Sequence, residues 1–207
     1  LAGTAIDIIE EDVECDNGQV TFSNESYEDI SMSLRTIENR SKGLVTFVEA
    51  YRNFTSIPQP DFERVEIGNI IQEVVKLIKA GVASSKVQID VQLNPPNLIV
   101  RIDPKQIEMV LINLIKNACE ALHETEDPHI LISVYTDHEQ RAYVDITDNG
   151  PGIEPEALEK IFIPFYTTKS TGSGIGLSLS QRIMQMHHGN LTARSEIGKG
   201  TTFSLQI

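Results

Sequence analysis

Asn113, Asn117 and Glu120 stand at i, i+4 and i+7 in Asn113-Leu-Ile-Lys-Asn117-Ala-Cys-Glu120, so on a helix they share one face. Val110, Leu111, Leu114, Ile115 and Ala118 form an apolar row beside them. Amide and carboxylate oxygens in such a stripe suit Mg²⁺, which keeps several of its waters and takes few protein ligands alongside phosphate oxygens. Any one of the three alone reads as a solvated helix position. The weight rests on the stripe and on the segments that follow it.

Asp145-Ile-Thr-Asp148-Asn-Gly150-Pro-Gly152-Ile153 reads as a strand that ends in a carboxylate and two glycines. Glycine there allows a tight turn and a close approach of backbone to a ligand, and the carboxylate can accept a hydrogen bond from an exocyclic amine. Next, Ile161-Phe162-Ile-Pro164-Phe165-Tyr166-Thr167-Thr168-Lys169 leads into Gly172-Ser-Gly174-Ile-Gly176-Leu177. Glycines at alternate positions before a helix offer amides and a helix N-terminus to phosphates, and Thr-Thr-Lys can add charge-assisted bonds. Gly198-Lys-Gly200-Thr201 precedes the last strand. Taken singly these are a turn, a flexible loop and a hairpin.

The elements that must position these residues are legible from periodicity and caps. A helix is expected over 67–80, strands over 87–93 and 98–102, and a helix from Asp103-Pro104 to about residue 122, with Asp as its cap and Pro at its first position. Alternation predicts strands over 129–136 and 141–147; a helix over about 174–187 and strands over 191–195 and 202–207 follow. Helices and strands interleave without regular βαβ spacing, which points to an α/β sandwich with helices on one face of a mixed sheet. Upstream, Ile30, Leu34, Ile37, Leu44, Val48 and Tyr51 make a heptad seam on a helix from about Glu25 to Asn53, stopped before Pro58 and Pro60. Leu1 to Glu14 reads as a shorter helical arm. Cys15-Asp16-Asn17-Gly18 and Ser23-Asn24 supply turn chemistry between the arms. The expected organisation is an antiparallel α-helical hairpin over 1–55, a linker over 56–65 and a catalytic domain over 66–207.

A chain of 207 residues, 40% hydrophobic and 23% charged, can bury one sizeable core plus a smaller element. A net charge of −13 argues against a nucleic-acid surface. It leaves a nucleotide open, since local amides, a lysine and a metal can hold a polyphosphate. No apolar run is long enough to cross a bilayer. Cys15 and Cys119 lie far apart and read as reduced thiols. The sequence begins at Leu1 without Met and reads as an excised segment, so any membrane anchor would lie outside it.

In this order and spacing the motifs resemble the asparagine box, first glycine box, phenylalanine box, second glycine box and final GxGT of the histidine-kinase ATPase domain, over roughly residues 66–207. The resemblance implies the Bergerat fold, an α/β sandwich that binds ATP–Mg²⁺ beneath a mobile lid. It implies that Asn117 ligates Mg²⁺, that Asn113 assists on the phosphate side, and that Asp148 accepts from the adenine amine with Gly152 and Thr201 beside it. Lys169, Gly172, Gly174 and Gly176 would form the lid and phosphate turn. Glu120, Gly150, Ile153, Thr167, Thr168 and Leu177 complete the implied ATP-binding set, although Glu120 departs from the basic or amide residue that many such kinases carry. The stretch Phe47-Val-Glu-Ala-Tyr-Arg52 with Pro58-Gln-Pro60 is similar to the dimerisation helix of nitrogen-regulation-type sensor kinases.

That resemblance implies a cytoplasmic, homodimeric kinase that moves the ATP γ-phosphate to a histidine and on to a response-regulator aspartate. None of His123, His129, His138, His187 and His188 sits in an acceptor context. His123-Glu124 falls in an acidic loop, and the acceptor is expected upstream of Leu1. Two alternatives stand beside this reading. One is a gyrase-type ATPase, which would use a glutamate on the asparagine helix where Asn113 precedes Asn117; the other is a non-catalytic ATP-binding module.

Overall fold

The computed structural model describes residues 14–16, 19–21, 24–55, 57–81, 87–169 and 172–207. The chain divides between Thr55 and Ser56 into two compact units.

In the first unit, β1 (Glu14–Asp16) and β2 (Gln19–Thr21) pair antiparallel, Asp16 opposite Gln19. The Asn17-Gly18 dipeptide between them has the composition of a two-residue hairpin loop. Cys15 and Asp16, expected in the turn between two helical arms, and Glu14, expected to end a helix, are in a strand instead. The rest of the expected first arm, 1–13, lies outside the described residues. The second arm is α1 (Asn24–Thr55), 32 residues and so about 48 Å long. Seam residues Leu34 and Val48 stand 57% and 55% exposed.

The second unit starts at Ser56 rather than at 66. The stretch expected to be a linker is fastened down. Gln106 Nε2 donates to the Pro58 carbonyl at 3.0 Å, and the Asp61 amide donates to Asp103 Oδ2 at 3.0 Å. β3 (Glu63–Glu66) then pairs antiparallel with β5 (Ile99–Ile102). Arg-Val between two glutamates carries too little alternation to announce a strand; a long-range partner makes it one.

α2 (Ile67–Gly81) buries Ile67, Ile71, Val74, Val75 and Ile78, a stripe at helical spacing. α3 (Pro104–Ala121) buries Ile107, Val110, Leu111, Leu114, Ile115 and Ala118 in the same way. Both cover one face of a five-stranded sheet in the order β4 (Gln88–Leu93), β6 (His129–Thr136), β7 (Ala142–Asp148), β9 (Gly200–Gln206), β8 (Asn190–Glu196). β4 and β6 run parallel; the other neighbours are antiparallel. Alternate residues Ile130, Ile132 and Val134 of β6 and Ala142, Val144 and Ile146 of β7 point into this core. The opposite face carries Tyr135, whose ring stacks on Tyr143 at 5.3 Å and whose hydroxyl donates to Asp145. One face apolar under helices and one face polar is the α/β sandwich expected.

α4 (Pro155–Leu158) is a single turn that no periodicity marks, and α5 (Gly176–Met186) packs on α3 and β8. The corner where α5 ends meets the start of α3. His187 Nε2 accepts the Asp103 amide at 3.0 Å and Nδ1–H donates to the Ile183 carbonyl at 2.8 Å. Both ring nitrogens of this buried histidine are thus committed inside the fold. His188 takes a positive φ of 60° and ends the helix.

Asp103 caps α3 by accepting from the amides of Lys105 and Gln106 at 3.0 and 3.1 Å, in addition to Asp61. Burial alone would raise its pKa, but the three amides outweigh that and hold the carboxyl below its ordinary value. A depressed carboxyl contributes stability above its unfolded-state value, and that contribution is lost as pH falls through the folded one. Asp103→Ala is expected to cost about 1–2 kcal/mol at neutral pH. In urea unfolding series run from neutral into strongly acidic pH, the gap to wild type should close. A gap independent of pH would refute the assignment.

Candidate functional site

The five-stranded sheet and α3 diverge at one end to leave a cavity of about 360 Å³, a volume usual for small-ligand sites. From α3 it is lined by Asn113, Asn117 and Glu120, from the end of β7 by Asp148, and from the following loop by Gly152 and Ile153. The segment before the glycines adds Thr167, Thr168 and Lys169, the glycine loop and start of α5 add Gly172, Gly174, Gly176 and Leu177, and β9 adds Thr201. Residues spread over nearly ninety positions of sequence, from Asn113 to Thr201, thus face one another. Gly150 does not line the cavity. It stands behind Asp148, its amide donating to Oδ1 at 2.9 Å.

Asp148 is where strand periodicity meets the site. It continues the inward series Ala142, Val144, Ile146, and is only 3% exposed. Its register partner is Thr201, whose amide donates to Asp148 Oδ1 at 3.3 Å. Burial raises the pKa of this carboxyl, and the amides of Gly150 and Thr201 oppose that without cancelling it. The result is a buried acceptor at the mouth of an otherwise apolar strand end.

Elsewhere in the lining, Asn113 Nδ2 donates to Ser180 Oγ of α5 at 3.0 Å. Its Oδ1 lies against the Cα of Gly176, so closely that a Cβ there would overlap it. Gly176 is glycine because α5 begins in contact with the Asn113 amide. Gly174 has φ of 69°, and a Cβ there would stand 2.5 Å from the Phe165 carbonyl carbon. Lys169 Nζ pairs with Glu120 and lies 3.5 Å from Asn117 Oδ1. Lys169 and Glu120 are 43% and 53% exposed, so the pair is worth at most about 1 kcal/mol and is easily exchanged for another partner. Of the loop expected to be mobile between Lys169 and Ser173, Ser170 and Thr171 lie outside the described residues.

The sequence pattern of the histidine kinase-, DNA gyrase B- and HSP90-like ATPases matches residues 102–207. The chain is 30% identical over 160 residues to sensor protein FixL of Bradyrhizobium diazoefficiens, covering 77% of this chain and 32% of that protein. It is 31% identical over 180 residues to the signal transduction histidine-protein kinase AtoS of Escherichia coli, covering 85% of this chain and 28% of that one. The crystal structure of the catalytic domain of histidine kinase ThkA superposes with a TM-score of 0.64 at 32% identity, covering 71% of this chain and 95% of that domain. The chain belongs to the histidine kinase-like ATPase family. Its ATP-binding domain is of the sensor histidine kinase kind. The chain spans about a third or less of the length of the two curated kinases it matches here.

For a histidine-kinase ATP-binding domain, the structure adds lining residues that motif reading did not assign to the site. Tyr166 and Ile161 belong to the phenylalanine-box segment, and Ala121 follows Asn117 by one helical turn. Those three were findable from spacing. Ala157 was not, because it sits on α4, a turn with no periodic signature, and Phe203 reads from sequence as strand core. No cluster of three or more His, Cys, Asp or Glu that could hold a metal occurs among the described residues. No helix among them is long and apolar enough to cross a membrane.

The raised pKa of Asp148 has a consequence for the ligand-free domain. A carboxyl whose folded value lies above its unfolded value contributes most below the unfolded value, and that contribution is lost as pH rises through the folded one. Asp148→Asn keeps an oxygen for the Gly150 and Thr201 amides but has no charge to bury. Thermal melts without nucleotide should therefore show the variant more stable than wild type at neutral pH, with the advantage gone in acid. A less stable variant at neutral pH would contradict this account.

Proposed function

We propose that residues 56–207 bind ATP with Mg²⁺ and present its γ-phosphate to a histidine, as the catalytic part of a sensor histidine kinase. The observation that carries the reading is the set of groups gathered in a single cavity. A buried carboxylate acceptor, Asp148, lines the same cavity as the Asn113, Asn117 and Lys169 side chains and the glycine loop. Those are the groups a purine amine and a polyphosphate need.

Mg²⁺ fits the residues present. The Asn117 Oδ1 and Glu120 oxygens already hold one positive charge between them, the Lys169 ammonium. One or two oxygen ligands suffice where phosphates and water complete the shell. When bound, the metal would neutralise charge on the phosphates. Asn117 would ligate it, and Asn113, oriented by Ser180, would act on the phosphate side. Lys169 would leave Glu120 for the phosphates, which in this reading gives Glu120 the task of holding the lysine when nucleotide is absent. Gly172, Gly174 and Gly176 would offer close backbone approach to the phosphates, with Thr167 and Thr168 beside them. Asp148, Thr201, Gly152 and Ile153 would receive the adenine. Phosphoryl transfer asks mainly for positioning and charge stabilisation, the two tasks these residues would serve.

Residues 1–55 are read as part of the dimerisation and histidine-phosphotransfer hairpin. The reading is supported by α1 and its exposed seam residues Leu34 and Val48. A homodimer and a response regulator that takes the phosphate onto aspartate follow from the same reading, as does a cytoplasmic location.

Titration calorimetry is expected to give micromolar to millimolar ATP–Mg²⁺ affinity. Asp148→Asn should weaken it by about 1–3 kcal/mol, the loss of a buried acceptor for the amine, and unchanged binding would sink the adenine assignment. Gly176→Ala should weaken binding by a further route, pushing Asn113 off the phosphate side at a cost of about 1–3 kcal/mol. Incubation with γ-labelled ATP and a histidine acceptor protein should yield acid-labile, base-stable label. Phosphate release without an acceptor, and no labelled histidine, would favour the hydrolytic alternative.

A further inference from the structure

Ser195, near the end of β8, bonds both the loop after β7 and the start of β9 without lining the cavity. The Ile153 amide donates to Ser195 Oγ at 2.8 Å; Ser195 Oγ lies 3.0 Å from the Gly200 carbonyl and 2.9 Å from Thr201 Oγ1. A serine hydroxyl has one proton and two acceptor positions. The Gly200 carbonyl can only accept, so it takes the Ser195 proton. The Ile153 amide fills one acceptor position, and the other is left for the Thr201 hydroxyl, which must donate. With its single proton turned to Ser195, Thr201 Oγ1 keeps only lone pairs for the cavity.

Resting on the reading that this cavity takes a nucleotide, we propose that Ser195 is a positioning residue for base selection, fixing the Thr201 hydroxyl as an acceptor toward the ligand. Thr201 and Asp148 are register partners on neighbouring strands, both inward and both lining the cavity. Cross-strand partners stand close enough for their side chains to act on one ligand group. The adenine end therefore presents two adjacent acceptors. An exocyclic amine satisfies them, whereas a carbonyl oxygen at the same place meets lone pairs on both sides. Sites built to hydrogen-bond a donor reject its carbonyl isostere because the acceptors are left unpaired. Without Ser195 the Thr201 hydroxyl is free to rotate and offer its proton to such a carbonyl.

The test is the ratio of ATP to ITP affinity, by calorimetry with Mg²⁺ on the whole chain. ITP replaces the amine by a carbonyl and leaves ribose and phosphates unchanged. Wild type should prefer ATP. Ser195→Ala should lower the preference by about tenfold, the value of one well-placed hydrogen bond, chiefly through tighter ITP binding. A merely structural role for Ser195 would weaken both nucleotides alike, and that result would overturn the proposal. Thr201→Val, which keeps the side-chain shape and removes the hydroxyl, serves if the serine variant folds poorly. It should lose preference to a similar degree, and an unchanged ratio would equally overturn the proposal. The double variant should be no less selective than Thr201→Val alone. Wild-type chain that binds neither nucleotide would overturn the nucleotide reading itself, an outcome distinct from binding with an unaltered ratio.

Discussion

Asp148 occupies the last inward position of β7, a place where the preceding residues of the same register are Ala142, Val144 and Ile146. Putting a carboxylate there is unfavourable unless its oxygens are met. The surrounding backbone is arranged to do so. The chain turns straight after Asp148 so that the Gly150 amide, two residues on, donates to Oδ1, and β9 starts at Gly200 so that the Thr201 amide does the same. The Gly200 Cα packs directly on the Asp148 carbonyl, an approach closed to any larger residue. The first glycine box and the final GxGT motif are thus two halves of one arrangement around a buried acid. The compensation is incomplete, as the raised pKa of Asp148 records: burial outweighs the two amides.

α3 is the second shared part. Its buried stripe anchors it to the sheet, and side chains tie it to both ends of α5. At mid-helix Asn113 bonds Ser180 and abuts Gly176; at the start of α3 the Asp103 amide donates to His187. The polar stripe of α3 and the helix after the glycine loop therefore keep a fixed relation. The same corner holds Asp61 and Phe62. Phe62 meets the His187 ring edge-on at 5.3 Å, with Arg101 over its face at 5.5 Å, and Asp61 bonds the α3 cap. What reads as linker in the sequence is in fact packed structure of the second unit.

Much of this was legible in the sequence because it is written in local periodicity and caps. The stripe of α3, its Asp103-Pro104 start, the alternation of β6 and β7 and the grouping of Asn113, Asn117 and Glu120 each need only a few neighbouring residues to specify them. The order of the glycine and asparagine motifs was equally legible, and with it the family. Tertiary structure decided what depends on partners distant in the chain. β3 exists because β5 pairs with it, Glu120 is engaged because Lys169 reaches it from 49 positions away, and His187 faces inward because Asp103 offers an amide. The Thr201 hydroxyl meets that of Ser195 across a hairpin. Residue type and spacing record which groups are available and on which face of their own element they lie. Which donor meets which acceptor is settled only when separate elements pack, because a hydrogen bond is made over about 3 Å of space whatever the distance along the chain.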